Sequence, residues 1–258
     1  MKPIFALICI LLGVAPAFAI KPEKTYRYTP EQFSMEYEEL KIDTSDGATL
    51  NVWHLPSEET GIPVIISQSD AGNMGYWLYM GAYFQACGLD VWLYDYRGFG
   101  GSSEFEIDRD CLFHNEFVAD LAAVAGYVYK KTSAAPVLLG LSMGTIIINE
   151  YLKDTDIPVT HVIYDGYAGN PAEWVNKLKA NGKDVKLPDG YLPGKHKNRR
   201  LKTLYIVGLK DGYSSVSDIP FRKSKKTTVK TFDSGHISSF NQYPEEYTVE
   251  ILNFLIDK

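Results

Sequence analysis

Short runs of apolar residues recur along the chain, with stretches of helical pattern between them. A strand that helices cover on both faces of a sheet reads as such a continuous run. Strands that alternate with helices in this way are typical of an α/β protein with a parallel sheet. The runs that we predict to be buried strands are residues 64–66, 91–94, 137–139, 162–164 and 204–207.

Segments outside these runs predict the rest of the secondary structure. Residues 37–42 and 50–54 flank the turn signal Ser45-Asp46-Gly47, which predicts an antiparallel hairpin at the edge of the sheet. The triplet Ile146-Ile147-Ile148 favours a strand by propensity, but its place directly after a buried strand favours a helix. The helices that the pattern predicts are residues 76–87, 115–132, 143–153 and 244–256.

The pattern weakens between residues 166 and 202, where the chain is polar and carries several Gly and Pro residues. One short helical segment, at about 172–179, is predicted within this stretch. We expect the stretch to form a short lid. The sequence has no repeat and no linker-like tract, so residues 20–258 are expected to form one domain.

The first nineteen residues have the parts of a secretory signal peptide. Lys2 gives a positive start, residues 4–14 are apolar, and Ala17-Phe18-Ala19 has the small residues that signal peptidase favours. The apolar run is shorter than the roughly 18 residues that a spanning helix needs, although a membrane anchor stays open as the alternative. We predict cleavage after Ala19 and an exported protein, periplasmic or secreted, without a stable membrane anchor.

Charge and cysteine content narrow the class of partner. The formal net charge of −6 argues against a nucleic acid partner, and the basic run at 195–200 is interpreted as a solvated loop. The sequence has no Cys/His cluster, so no metal site is expected. Cleavage of the leader would leave Cys87 and Cys111, and the sequence leaves open whether they form a disulfide.

The motif Gly140-Leu141-Ser142-Met143-Gly144 stands between a predicted buried strand and a predicted helix. A strand that turns sharply into a helix places the serine at a strained apex, and the two glycines leave room where side chains would collide. We therefore predict that Ser142 is a catalytic nucleophile. A serine hydroxyl is too weakly acidic to attack a carbonyl unaided, so it needs a base and a carboxylate that orients the base.

Of the five histidines, His236 is the one placed for the base. It follows the run 228–232 and precedes the last predicted helix, in the chain order nucleophile, acid, histidine. For the acid we favour Asp211, which emerges just past the C-terminal end of a predicted strand, where ligand chemistry gathers in open α/β sheets. Asp165, also at a strand end, and Asp218 stay open as alternatives.

The chain resembles the α/β-hydrolase superfamily, and more closely its serine-aminopeptidase-like and BEM46-like branch, from about residue 40 to the C-terminus. The resemblance implies a mostly parallel eight-stranded sheet with helices on both faces and a short lid at about 166–202. It also implies a catalytic triad of Ser142, Asp211 and His236. The motifs that carry it, which are hard to obtain together by chance, are the turn at 140–144, residues 95–102, residues 208–211 and Gly235-His236.

The tetrahedral intermediate of acyl transfer needs two backbone N–H donors. One is expected from Met143, the residue after the nucleophile. The resemblance places the second at Asp70, in the loop Gln68-Ser69-Asp70-Ala71-Gly72-Asn73, where the family has His-Gly-Asn-Ala-Gly-Asn. An ionised Asp70 side chain pointing inward would repel the oxyanion, so we expect it to face away or to be hydrogen-bonded elsewhere. Tyr76 and Trp77 follow as candidate walls of an acyl pocket.

The expected function is acyl transfer from an ester, thioester or amide to water, by a serine hydrolase that needs no cofactor. Asp95 and Arg97 are interpreted as structural residues that hold a turn near the site. Two alternatives stay open: a non-catalytic binding protein that keeps the fold, which the altered loop at 68–70 favours, and a peptidase that releases N-terminal residues, which only the resemblance implies. The expected partner is a small-molecule or acyl substrate, and the acyl group and the oligomeric state stay open.

Overall fold

Within residues 19–194, 201–220 and 223–256, which the computed structural model describes, the chain forms ten strands and six α-helices. The strands are β1 (Lys21–Pro22), β2 (Glu38–Asp43), β3 (Thr49–Leu55), β4 (Pro63–Ser67), β5 (Ala71–Gly72), β6 (Asp90–Tyr94), β7 (Val137–Leu141), β8 (His161–Asp165), β9 (Lys202–Gly208) and β10 (Thr227–Phe232). The helices are α1 (Leu78–Ala86), α2 (Asn115–Thr132), α3 (Met143–Tyr151), α4 (Pro171–Ala180), α5 (Ser239–Gln242) and α6 (Pro244–Ile256).

Eight of these strands form one sheet in the order β10-β9-β8-β7-β4-β6-β3-β2. Neighbouring strands are parallel except at β3, which pairs antiparallel with both β2 and β6. The predicted mostly parallel, eight-stranded sheet is therefore confirmed. The predicted hairpin is confirmed as well, because β2 forms an edge of the sheet. The loops that follow β4, β7, β8 and β9 leave from the same edge, where functional residues of open α/β sheets gather.

Helices cover both faces of the sheet. On one face α2 and α3 pack over the strands, and Phe117 and Leu121 of α2 are fully buried there. On the other face α1 and α6 lie side by side, with Phe84 and Ile251 fully buried. Because neither face meets solvent, the central strands carry no polar alternation and read as continuous apolar runs.

The triplet Ile146-Ile147-Ile148 lies in α3, as its context predicted. All three side chains are buried, because α3 is enclosed between β7, β4 and α2. Burying each isoleucine contributes about 1.5–3 kcal/mol, whereas its unfavourable helix propensity costs less than about 0.7 kcal/mol. Packing therefore outweighs the local preference for a strand.

The N-terminal part of the described chain adds a feature that the apolar pattern does not predict. β1 pairs in parallel with β5 as a separate two-stranded sheet beside the main one. Ala19 and Ile20 before it are buried. Of the predicted leader, residues 1–19, only Ala19 is among the described residues, and residues 1–18 lie outside them.

The stretch predicted as a lid contains α4, close to the predicted segment at 172–179. The loop after α4 is tied to the loop before α2 by the N–H of Leu112, which donates to the carbonyl of Lys186 at 2.8 Å. The basic run at 195–200 lies outside the described residues. Cys87 and Cys111 are both free. Across the described ranges, no helix is both long and apolar enough to cross a membrane.

A buried ion pair ties the hairpin turn to the loop after β6. The guanidinium of Arg97 donates to both oxygens of Asp46 at 2.8 Å, and its Nε donates to Asp120 at 2.8 Å. Asp120 is fully buried and also accepts the backbone N–H of Arg97. Arg97 therefore acts as a structural residue, as its position in the turn motif predicted.

We expect Arg97→Met, which keeps the length of the side chain, to lower the free energy of unfolding by about 3–5 kcal/mol, because it leaves the Asp120 carboxylate buried without its partner. The midpoint of urea unfolding measures this change. The matched control is Lys230→Met, which breaks the more exposed Lys230–Glu250 pair and should cost less than about 1 kcal/mol. Equal costs for the two variants would contradict the assignment.

Candidate active site

Ser142 stands at the apex of the turn between β7 and α3, with φ 52° and ψ −110°. This is a left-handed backbone conformation that a residue with a side chain adopts only under strain. A side chain at Gly144 would overlap the carbonyl oxygen of Ser67 at the end of β4. A Cβ at Gly140 would lie 2.9 Å from the backbone of Gly144. Both glycines of the motif are therefore sterically required.

The structure brings the three predicted triad residues into one hydrogen-bonded chain. The Oγ of Ser142 lies 2.8 Å from Nε2 of His236, and Nδ1 of His236 lies 2.8 Å from Oδ2 of Asp211. Asp211 follows β9, and His236 lies in the loop between β10 and α5. With Nδ1 donating to the carboxylate, Nε2 is left as the acceptor that faces the serine hydroxyl.

The carboxylate of Asp211 is held by the loop that follows it. Its Oδ1 accepts the backbone N–H groups of Tyr213 at 2.8 Å and of Ser214 at 3.2 Å, and Oδ2 accepts the Ser214 hydroxyl. Burial alone would raise the pKa of Asp211, but the hydrogen bonds from His236, Ser214 and Tyr213 outweigh burial and lower it below its ordinary value. The group therefore stays ionised and oriented beside the imidazole.

Two aromatic rings and a glycine shape the surroundings of His236. The ring of Tyr213 lies 5.4 Å and the ring of Trp174 5.7 Å from the imidazole, measured between centroids. A Cβ at Gly166 would lie 2.5 Å from the imidazole, so only glycine, here at φ +67°, fits beside the ring. Sequence reasoning missed these three residues. The position of Gly166 directly after a buried strand was the only signal for one of them.

The alternative acids lie elsewhere. Asp218 belongs to a short 3₁₀ turn and pairs with Lys177 at 3.0 Å. Asp165, at the end of β8, is buried, and its carboxyl group has only weak contacts, with the Tyr247 hydroxyl and the Gly166 N–H, that do not offset its burial. Burial raises the pKa of Asp165 to about 7. Asp165 therefore keeps its proton to a higher pH than an ordinary carboxyl group, while Asp211 is the carboxylate bonded to the imidazole.

The two predicted oxyanion donors lie at one cavity. Met143 is the first residue of α3, and Asp70 follows β4 on the adjacent strand. Both line the same cavity as Ser142 and His236. Asp70 thus forms part of the cavity wall, and its carboxyl group lies close enough to His236 and Lys183 for their charges to act on it. Burial raises the pKa of Asp70, partly offset by its own N–H and by the nearby charge of Lys183.

The cavity beside Ser142 is small, with a volume of about 70 Å³. Its walls are mainly apolar and come from α3, the lid and the N-terminal segment, with Lys183 as the one cation among the described lining residues. The prediction that Tyr76 and Trp77 form the pocket is wrong for this cavity. Tyr76 is turned outward to the carboxylate of Glu23 at 2.8 Å, and Trp77 packs against the core on the α1 side. The apolar lining residues are Ala19, Leu112, Met143, Ile146, Ala168, Trp174 and Leu178.

Within the described ranges, no group of three or more His, Cys, Asp or Glu side chains is arranged to hold a metal ion. The described residues with polar side chains at the cavity are Ser142, His236, Asp70, Lys183 and Tyr213. A serine hydroxyl, an imidazole, a carboxylate and two candidate N–H donors are the kinds of group that acyl transfer requires.

The sheet order, the covering helices and the strained serine turn define the protein as an α/β hydrolase. An esterase of Pyrococcus furiosus has the same fold, with a TM-score of 0.71 over 92% of this chain and 96% of that chain, at 16% sequence identity. At this identity the likeness concerns the fold alone.

The family model of serine aminopeptidases, S33, matches residues 70–229, more than half of the chain. Protein bem46 of Schizosaccharomyces pombe is 30% identical over 107 residues, 35% of this chain and 36% of that protein. The α/β hydrolase domain-containing protein WAV2 of Arabidopsis thaliana is 31% identical over 145 residues, 55% of this chain and 46% of that protein. The chain therefore belongs to the serine aminopeptidase S33 family, in its BEM46-like branch, and the matches span less than half the length of these curated relatives.

The raised pKa of Asp165 has a consequence for stability. Between about pH 4 and pH 7 the folded chain keeps a proton on Asp165 that the unfolded chain has lost, so this group lowers the free energy of unfolding as the pH rises. Asp165→Asn is neutral at every pH and removes the effect. Relative to wild type, we expect the variant to gain stability across this range, by up to about 4 kcal/mol at about 1.4 kcal/mol per pKa unit.

Urea unfolding at several pH values between 4.5 and 8 measures the difference between variant and wild type. Asp184→Asn, at an exposed carboxyl group between α4 and β9, is the matched control. Its free energy of unfolding should change with pH in the same way as that of wild type. A difference for Asp165→Asn that does not change with pH would contradict the burial of a protonated carboxyl group.

Proposed function

We propose that the protein is a serine hydrolase that transfers the acyl group of an ester, thioester or amide to water through an acyl-enzyme on Ser142. The single observation that carries the proposal is the hydrogen-bonded chain from Ser142 through His236 to Asp211, with the serine at a strained turn. A serine in an ordinary structural turn has no need of this strain or of these partners.

In the proposed mechanism, Nε2 of His236 accepts the proton of the Ser142 hydroxyl as Oγ attacks the carbonyl carbon. Asp211 keeps Nδ1 protonated and stabilises the imidazolium that forms. The imidazolium then donates its proton to the leaving group, and the acyl-enzyme remains. A water molecule, deprotonated by His236 in the same way, attacks the ester, and the proton returns to Oγ as the acid product leaves.

The backbone N–H groups of Met143 and Asp70 are the proposed donors to the oxyanion. Each such donor typically contributes a factor of about 10²–10³ to the rate. The carboxyl group of Asp70 works against this when it is ionised, because a negative charge at the cavity repels the oxyanion. Its raised pKa and the nearby Lys183 lessen that repulsion.

The size of the cavity supports a short acyl group as the substrate. Pockets for drug-sized ligands have volumes of about 300–1,000 Å³, several times the volume beside Ser142. Trp174 and Leu178 of α4 close the cavity from the lid side. An acyl chain of two to four carbons is the class we propose.

Labelling by a fluorophosphonate tests the nucleophile. We expect the purified wild type to be labelled, Ser142→Ala to be inert, and His236→Ala to react at least about a thousandfold more slowly, because it lacks the base. Asp211→Asn should slow labelling by about three to four orders of magnitude, whereas Asp165→Asn should stay close to wild type. The readout is the second-order rate of labelling for each variant.

The matched control for labelling is Ser45→Ala, at an exposed serine of the hairpin turn, which should react like wild type. A correctly folded wild type that takes no label would overturn the proposal and favour a binding protein with this fold. Strong slowing by Asp165→Asn with little effect of Asp211→Asn would reassign the acid.

A chain-length series of p-nitrophenyl esters tests the substrate class. We expect kcat/KM to be highest for acetate to butyrate and to fall by about tenfold or more at octanoate, because the longer chain has no apolar space to enter. Leu178→Ala should shift the optimum to longer chains, and Leu192→Ala, at an exposed lid residue, is the control that should not. An optimum at octanoate in the wild type would contradict a short acyl substrate.

A second candidate function is the release of N-terminal residues from peptides. The family match favours it, and so does the presence of Asp70 in the cavity wall, since a carboxylate that faces the cavity would pair with the α-ammonium of an aminoacyl substrate. Aminoacyl p-nitroanilides assayed beside the esters separate the two functions. Faster turnover of the anilides, lost in Asp70→Asn while ester hydrolysis is kept, would establish the peptidase instead.

A further inference from the structure

A segment at the N-terminus crosses the loop that carries the proposed second oxyanion donor. We call residues 20–26 the strap and residues 68–73 the oxyanion loop. In the strap, β1 pairs in parallel with β5 of the oxyanion loop, Lys21 opposite Ala71 and Pro22 opposite Gly72. The N–H of Lys21 donates to the carbonyl of Asp70 at 2.8 Å, so the strap fixes the peptide that directly follows the proposed donor.

Side chains tie the strap to the far end of the oxyanion loop. The amide of Asn73 donates to the carbonyls of Glu23 at 3.1 Å and Thr25 at 2.9 Å, while the N–H of Glu23 donates to Gly72 at 2.9 Å. The hydroxyl of Tyr76 donates to the Glu23 carboxylate. The ring of Tyr76 covers Gly72, where a Cβ would lie 2.7 Å from it. The oxyanion loop is thus held along its length by the strap.

Both ends of the strap are anchored in the body of the protein. At one end, Ile20 is fully buried and its N–H donates to the carbonyl of Arg109 at 3.1 Å. At the other end, the hydroxyl of Tyr26 donates to the buried carboxyl group of Asp95 and accepts the N–H of Gly101 at 2.6 Å. An element fixed at both ends can transmit its position to the loop it crosses.

The carboxyl group of Asp95 also contacts both ends of the oxyanion loop. Its Oδ1 accepts the N–H of Met74 at 2.8 Å, just past the oxyanion loop, and the amide of Gln68 lies 3.4 Å away at the start of that loop. Gln68 and Ser69 stand where the family has His and Gly. In this chain the strap and Asp95 therefore bracket the loop on both sides.

We propose that the strap is a positioning element for the active site, which holds the oxyanion loop so that the Asp70 N–H points at the reacting carbonyl. Lys21 and Glu23 are the positioning residues, and they act through their backbone N–H groups. The proposal rests on the proposed serine hydrolase function. It explains how a loop with an altered sequence keeps the geometry that the oxyanion needs.

Lys21→Pro tests the proposal, because proline removes the N–H that donates to Asp70 and is tolerated in an edge strand. Lys21→Ala is the matched control, since it keeps that N–H and loses only an exposed side chain. For p-nitrophenyl acetate we expect Lys21→Pro to lower kcat by about ten- to a hundredfold with little change in KM, because the lost contact acts on the transition state. The decrease is measured against Lys21→Ala, which lacks the same side chain and keeps the N–H.

Glu23→Pro with its control Glu23→Ala repeats the test at the contact with Gly72, in case Lys21→Pro does not fold. Urea unfolding establishes that each variant assayed is folded. An active wild type together with proline variants whose kcat equals that of their alanine controls overturns the role of the strap alone. A folded wild type that neither hydrolyses esters nor reacts with fluorophosphonate overturns the proposed function, and the role of the strap with it.

Discussion

The backbone of the nucleophile turn lies against the end of β4 with no room for a side chain between them. This close approach depends on Gly144, whose Cβ would overlap the carbonyl of Ser67. Because of it, the start of α3 and the loop that leaves β4 stand side by side, and Met143 and Asp70 line one cavity. Steric exclusion between two backbones, rather than any strong attraction, thereby places the groups of the candidate site.

Two buried acids, Asp95 and Asp165, differ in how far hydrogen-bond donors offset the effect of burial on the carboxyl group. Burial raises the pKa of Asp95 to about 6 and that of Asp165 to about 7. The carboxyl group of Asp95 accepts hydrogen bonds from Tyr26, Met74 and Gly101, and it thereby links three segments of the chain. Asp165 lacks donors of comparable strength, so less of the effect of burial is offset and its carboxyl group keeps its proton to a higher pH.

The sequence predicted the large sheet and its helices because burial on both faces leaves a simple apolar signature. It also predicted that Ser142, His236 and Asp211 converge, since each follows a strand at the same edge of the sheet. The position of Tyr76 was not predictable, because its ring is directed by a hydrogen bond to Glu23, 53 residues away. For the same reason β1 was missed: two residues carry no periodicity, and their partner exists only once the fold has formed.

The surroundings of His236 show a further limit of sequence reasoning. Trp174 approaches the imidazole from α4, and Tyr213 approaches it from the loop after β9. Neither residue belongs to a sequence motif that predicts this position. Their placement depends on how α4 docks, which is set by side-chain packing rather than by local pattern. Residue types and order thus identify the chemical groups of the site, whereas the shape of the cavity follows from tertiary contacts.

The start of the strap carries a practical consequence for handling this protein. Ala19 lines the cavity beside Ser142, and Ile20 is buried directly after it. Any affinity tag or fusion partner joined before Ala19 would start directly beside the wall of the candidate active site. The side chain of Ile256 at the end of α6 is 64% exposed, and no described residue of α6 lines the cavity, so a tag placed after α6 leaves Ala19 and Ile20 undisturbed.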